Sequence, residues 1–197
     1  MKKKKFIKSD NRGKTEKKIQ YVLLFIMLLI GYFFVDYKVS SEKERKHLLE
    51  TEQKAVVCQI IGRWHTRLSG NIFEYSVSGK TYKHHHKNNV KFKKGECYHG
   101  IFAKSKPEIV QIDLTSPIIS NRGNFKEIFG KVQKTDTNSE PNSVLFTYRF
   151  FGSKYKRKVY VEKADIYNIG KSYLILVDER DPMVSYMKKQ VKTLPNI

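Results

Sequence analysis

Acids and cysteines are scarce in this sequence. Across 197 residues, 19 Asp and Glu face 39 Lys and Arg, and only two cysteines occur. Neither Cys58 nor Cys97 has a second cysteine at short spacing, which leaves zinc without its usual ligand pattern. Also missing are G-x-S-x-G, H-E-x-x-H, the P-loop and the Rossmann glycine fingerprint, so the common hydrolase, metalloprotease and nucleotide-binding signatures are absent. A cluster of acids at Asp178, Glu179 and Asp181 precedes Pro182, where carboxylates usually shape a turn. Cys97 and His99 lie two apart without a third group to orient a base. These absences point away from an enzyme and from any cofactor. An envelope hydrolase whose site carries no sequence signature is the remaining enzymatic reading. With 40% hydrophobic and 13% aromatic residues the chain has enough to bury a core, which argues against wholesale disorder.

One long apolar run is present, Ile19–Val35, broken only by Gln20 near its start. As a helix it spans about 25 Å, slightly short of a ~30 Å hydrocarbon core. Lys17 and Lys18 can snorkel at one end, and Tyr32 and Tyr37 suit the interface at the other. Residues 1–18 carry nine basic residues against two acids. The positive-inside rule therefore places 1–18 in the cytoplasm as a basic tail, 19–35 across the membrane and everything after 35 outside. Neither an A-x-A-like site nor a lipid-attachment cysteine follows the run, so an uncleaved signal anchor is expected in preference to a cleaved signal peptide. Residues 36–54 read as a charged stalk, helical from Ser40 to Gln53, with Ser40 or Ser41 as cap and Glu44 in capping-box position after Ser41.

Beyond the stalk the sequence repeats itself. Phe73, Tyr75, Gly79, Tyr82, Gly95, Tyr98 and Pro107 recur as Phe146, Tyr148, Gly152, Tyr155, Gly170, Tyr173 and Pro182. Spacing is kept within blocks and varies only between them, as expected of one supersecondary unit used twice. Short apolar runs punctuated by Gly, Asn and Pro predict strands at 55–61 (ended by Gly62), 71–77, 81–86, 97–103 and 109–114. The second copy predicts strands at 128–132, 144–151, 154–161, 172–177 and 183–187, with tight turns at Ser78-Gly79 and Gly152-Ser153. The expected fold is mainly β: an N-terminal transmembrane helix and short helical stalk, then two tandem small antiparallel β-modules, barrel-like or curled meanders. Module 1 covers 55–114, a linker rich in turn residues covers 115–127, and module 2 covers 128–190. Tyr75 and Tyr148 share a strand face with the Phe two residues before them and are expected in the core.

An anchor, a charged stalk, Tyr-x-x-x-Gly-x-x-Tyr, Gly-x-Cys-Tyr and a strand leading into Lys-Pro or Asp-Pro resemble bacterial single-pass or secreted proteins with small β-domains of unknown function. The resemblance covers residues 55–187 and implies no activity.

What differs between the copies sits in the first. Residues 54–112 hold eleven basic residues against three acids, whereas 129–197 are only mildly basic. Lys80, Lys83, Lys91, Lys93 and Lys94, with His84 and His86 on one strand face, form a basic hairpin able to hold an anion by charge. No carboxylate or thiol lies close enough in sequence to complete a metal shell around the two histidines, so no metal is expected. Aligning Gly62 with Gly130 and Gly95 with Gly170 puts Lys126 opposite Cys58 and Ser172 opposite Cys97. Thiols confined to one copy fit a disulfide closing a loop of about 40 residues, worth about 4 kcal/mol. They fit equally two small buried hydrophobes. The functional expectation is a membrane-anchored binding or scaffolding protein. Its partner is an envelope protein or an anionic surface polymer; nucleic acid is not expected if the domain lies outside the cell.

Overall fold

The computed structural model describes residues 11–65, 69–88, 90–119 and 125–193. The chain forms two compact units, Met1–His47 and Leu48–Ile197.

Helix α1 (Asn11–Thr51) runs for 41 residues. Every side chain from Ile19 to Glu44 is exposed, so the apolar run presents hydrophobic surface on all sides. By length and composition it is a candidate membrane anchor or signal sequence. Lys2–Lys5 and Lys8 of the basic tail lie outside the described residues. The stalk is not a separate capped helix: α1 passes through Ser40 and Ser41 without a break, because no Pro or Gly follows Gly31 before Thr51 and the good helix formers Glu42, Lys43, Glu44, Arg45 and Lys46 continue it.

After α1 the chain is strand. β1 (Gln53–His65), β2 (Ser69–Val77), β3 (Lys80–Lys87), β4 (Cys97–Ala103) and β5 (Val110–Ile119) form an antiparallel sheet in the order β5-β4-β1-β2-β3. β6 (Phe125–Asp136), β7 (Ser143–Phe150), β8 (Ser153–Tyr160), β9 (Ser172–Asp178) and β10 (Ser185–Met187) repeat that order as β10-β9-β6-β7-β8. The second sheet curls enough to bring its edge strands β8 and β10 into contact.

Three boundaries differ from expectation. β1 does not stop at Gly62 but passes it through a bulge between Ile60 and Gly62. Most of the expected 115–127 linker is strand, Thr115–Ile119 in β5 and Phe125–Glu127 in β6; Asn121, Gly123 and Asn124 lie outside the described residues. The second hairpin turns at Phe151-Gly152 rather than Gly152-Ser153. Phe151 has φ 46° and Gly152 φ 80°, against 50° and 78° at Ser78 and Gly79, the double left-handed geometry of a two-residue hairpin.

The repeated anchors have identifiable tasks. The Tyr75 hydroxyl donates to the Pro107 carbonyl at 2.9 Å, and Tyr148 donates to the Pro182 carbonyl, so each Tyr ties its hairpin to the turn before the last strand of its copy. Tyr75 stacks on Tyr82 at 5.6 Å, as Tyr148 does on Tyr155 at 5.5 Å. The copies are nevertheless not independent. Tyr160 and Tyr186 of the second copy complete the core built on Phe73, Phe92, Tyr98 and Phe102 of the first. A 3₁₀ turn at Lys188–Gln190 leads to β11 (Lys192–Thr193), which pairs in parallel with β5. Gln190 Nε2 donates to the carbonyls of Thr115 (3.2 Å) and Tyr160 (2.7 Å), one in each copy.

Strand pairing also corrects the alignment of the copies. Ile60 faces Phe73 as Val132 faces Phe146, each beside a bulge, which makes Gly130 the counterpart of Cys58 and Lys134 that of Gly62. Cys58 faces Tyr98, whereas Cys97 faces Gln59, one residue along each strand. Successive strand residues point to opposite faces, so the two thiols cannot meet; both are free. Burial, with Cys97 adding to it, pushes the Cys58 thiol up to about 12. Cys58 fills space that Gly100 leaves: a Cβ at Gly100 would lie 2.7 Å from its Sγ. The second sheet makes the opposite choice, with Ile175 at the place of Gly100 and Gly130 at the place of Cys58, where a Cβ would lie 3.0 Å from Ile175 Cδ1. Large and small have changed strands while the pair keeps its fit. Accordingly, Gly100→Ile alone is expected to cost about 1–3 kcal/mol by overpacking. Cys58→Gly/Gly100→Ile, which copies the second sheet, should recover most of that loss in urea unfolding of the detergent-solubilised chain.

Candidate functional site

The basic hairpin expected from sequence is not one surface. β3 is an edge strand whose half-buried face carries Tyr82, His84 and His86, while Lys83, His85 and Lys87 face solvent. His84 and His86 rings stand 6.2 Å apart, and His86 packs edge-on to Phe73 at 6.1 Å. Lys80 lies over the Tyr82 ring at 5.2 Å. Lys83 sits opposite Glu74 on β2, which dilutes the charge of that face. Lys91, Lys93 and Lys94 belong to the segment between β3 and β4. Lys93 pairs with Asp181 of the second copy at 3.5 Å. Among the described residues no three His, Cys, Asp or Glu side chains are placed to hold a metal ion. At the acidic turn, Asp178 accepts the Arg180 N–H at 2.9 Å and Asp181 the Met183 N–H at 3.0 Å, the backbone bonds of a shaped turn.

The larger cationic surface lies on the outer face of the second sheet. Antiparallel pairing sets Lys131 beside Thr147 and Thr147 beside Lys156, in one row across β6, β7 and β8. Arg149 with Lys154, and Lys134 with Leu145 and Lys158, form rows on either side. Directly paired residues share a face, so six cations from three strands project together, and alternate ones on β8 stand about 7 Å apart. β7 and β8 contain no carboxylate. β6 holds two acids: Glu127 is paired with Lys188 at 2.6 Å, and Asp136, two residues beyond Lys134, accepts the Asn138 N–H at 3.2 Å. Glu74 of the first copy corresponds to Thr147 here, and Thr81 and His85 correspond to Lys154 and Lys158. The copy that is less basic overall therefore carries the larger cationic face. Sequence counting misses it because the acids of this copy lie off β7 and β8; the alternating cations of Lys154-Tyr155-Lys156-Arg157-Lys158-Val159 were the available signal.

Toward β9 the same face becomes apolar. Phe129 pairs directly with Leu174 and both are exposed. With Tyr167, Tyr173, Met187 and Lys189 they border a groove of about 520 Å³.

A third constellation is buried and was not anticipated. Arg157, on the inner face of β8, reaches Glu96 of the first copy, with Nη2 2.6 Å from Oε2, and both side chains are almost wholly enclosed. The same carboxylate accepts the hydroxyls of Tyr98 at 2.9 Å and Tyr186 at 3.0 Å, and the Lys93 N–H at 2.5 Å. Arg157 Nη1 donates to the Met183 carbonyl at 2.8 Å. Burial opposes the Arg157 charge, but Glu96 and the surrounding tyrosines outweigh it and hold the guanidinium pKa above its ordinary value. Burial first, and Glu96 second, keep the Tyr98 and Tyr186 phenols well above theirs. Arg157 Nε alone of these polar atoms is buried without a partner; the others join groups of both copies, and the arrangement fastens the sheets together. Strand parity marks Arg157 as inward, between Tyr155 and Val159, and an inward cation requires an acid; only the tertiary structure names Glu96.

Arg157→Met, which strands a buried carboxylate, is expected to cost about 3–5 kcal/mol. Adding Glu96→Leu should recover most of it, as read from thermal melts of the solubilised chain. The tyrosines set a second dependence. Their raised pKa values stabilise the fold fully below the ordinary phenol value near 10, and that contribution is lost as pH climbs through the folded-state values. The melting temperature should therefore fall from pH 9 to pH 11.5, and less steeply in Tyr98→Phe/Tyr186→Phe.

Comparison of the sequence with protein-family models and with curated proteins finds no match to either.

Proposed function

We propose that this chain is a single-pass, membrane-anchored binding protein that holds an anionic ligand on the outer face of its second β-sheet. The observation that carries this reading is the projection of Lys131, Lys134, Arg149, Lys154, Lys156 and Lys158 from one face, with no carboxylate on β7 or β8. Surface cations are commonly neutralised by neighbouring acids; a face of one sign on a strand framework instead attracts phosphate or carboxylate polymers and anionic surfaces. Rigid strands fix the spacing of the charges, so binding does not have to order them first. The basic hairpin around Lys80 and Lys83 is a secondary contact in this reading, since Glu74 faces it and Lys93 is engaged by Asp181. The basic residues ahead of Ile19 favour a cytoplasmic N-terminus and an extracytoplasmic β-domain. No reacting group is required: the protein recruits or positions its ligand at the cell surface.

A fluorescent anionic polysaccharide, too large to cross the membrane, tests site and topology together when added to spheroplasts displaying the full chain. The wild type is expected to bind in a salt-sensitive manner. Lys154→Glu/Lys156→Glu/Lys158→Glu should bind about a hundredfold more weakly, at about 1 kcal/mol per cation. A Lys80→Glu/Lys83→Glu variant should lose far less. Equal binding by the wild type and the triple variant would overturn the assignment of the site.

A further inference from the structure

From the apolar groove beside the cationic face we infer that the ligand is an anionic lipid of the bilayer, with one acyl chain seated between Phe129 and Leu174. This deepens the reading above and rests on it. Phe129 and Leu174 are 68% and 40% exposed, directly opposed on β6 and β9, and no repeat anchor requires them: Val57 and His99 hold the corresponding places in the first copy. The walls are built in advance. Tyr173 and Tyr167 pack edge to face at 5.2 Å, and the Tyr173 hydroxyl accepts the Asn168 N–H at 2.8 Å and donates to the Ile166 carbonyl at 3.2 Å. These bonds fix the loop before β9, which supplies Tyr167 to the groove. A cavity of about 520 Å³ is of the size that takes a small ligand.

Charge selects the occupant. Lys189 borders the groove, and Lys131 follows Phe129 by two residues on the same face, with Ser172 opposite it. An apolar slot edged by cations matches a hydrocarbon tail with a phosphate head, and suits neither a polysaccharide, which has no tail, nor a neutral lipid, which leaves the cations unmatched. The candidate anchor in α1 would keep a bilayer within reach. In the complex the head group meets Lys131 and Lys189, the tail displaces water from the Phe129–Leu174 pair, and the further cations of β7 and β8 meet neighbouring head groups.

Alkyl phosphates of six, eight and ten carbons, used below micellar concentrations with the full chain in nanodiscs of neutral lipid, test this directly. Each methylene seated in the groove should raise affinity about fourfold. Phe129→Ser/Leu174→Ser, both at exposed positions, should flatten the series yet leave anionic polysaccharide binding unchanged. The wild type reconstituted in neutral nanodiscs should also take up phosphatidylglycerol from donor vesicles, and the double variant should not. Affinity independent of chain length, with polysaccharide binding intact, would overturn the groove assignment and leave the cationic face standing. A chain-length series that survives in Lys154→Glu/Lys156→Glu/Lys158→Glu, with polysaccharide binding absent from the wild type, would sustain the groove and remove the polyanion reading. If the double variant changes only self-association of the chain, the groove is a contact between copies and the lipid inference fails.

Discussion

The buried contact between Glu96 and Arg157 is the constraint around which the two sheets are arranged. A carboxylate and a guanidinium removed from water are tolerable only when partnered on every side. Glu96 meets that demand with groups from both copies: Tyr98 and the Lys93 amide from its own, Arg157 and Tyr186 from the other. Apolar contacts between the sheets could in principle slide, but four directed donors converging on one carboxylate define a single position. The pair occurs once, because Lys171 holds the place of Glu96 in the second copy and His84 that of Arg157 in the first. The two sheets share a strand order, and their differences at these positions make the joint specific.

Around that joint the copies share a frame and differ in what they expose. Hairpin glycines, stacked tyrosines and the tyrosine bond to a prolyl carbonyl recur because each braces a five-stranded antiparallel sheet of the same strand order. Core volume is conserved more loosely, as the exchange between Cys58/Gly100 and Gly130/Ile175 illustrates: the sheet requires a filled space, and either strand can fill it. Outer faces carry no such requirement. There the first copy has Glu74, Val57 and His99, and the second has Thr147, Phe129 and Leu174, which turns the second face into a cationic surface grading into an apolar groove. That gradient, more than the total charge, is what the proposed lipid-facing role draws on.

Much of the architecture was legible in the residues because it depends on local rules. A run of apolar side chains is a candidate membrane span in any context, period-two alternation marks strands, and glycines three residues before a recurring tyrosine announce a repeated unit. Cys58 and Cys97 could not be settled that way. Their separation in sequence allowed a disulfide, and only the register, with Cys58 opposite Tyr98 and Cys97 opposite Gln59, puts the thiols on opposite faces. The alignment of the copies likewise follows from register, since the pairing of Ile60 with Phe73 and of Val132 with Phe146, each beside a bulge, has no compositional signature.

The candidate anchor, the β-rich class and the recurrent spacing of Gly and Tyr follow from side-chain chemistry at short range and need only the chain's own residues. Tertiary structure alone decided which charges matter. Strand pairing gathers Lys131, Arg149 and Lys156 from three strands onto one face, removes Lys93 into an ion pair with Asp181, and buries Glu96 against a residue 61 positions away. Electrostatic interaction depends on distance in space and on exclusion of water, and neither quantity is written along the chain.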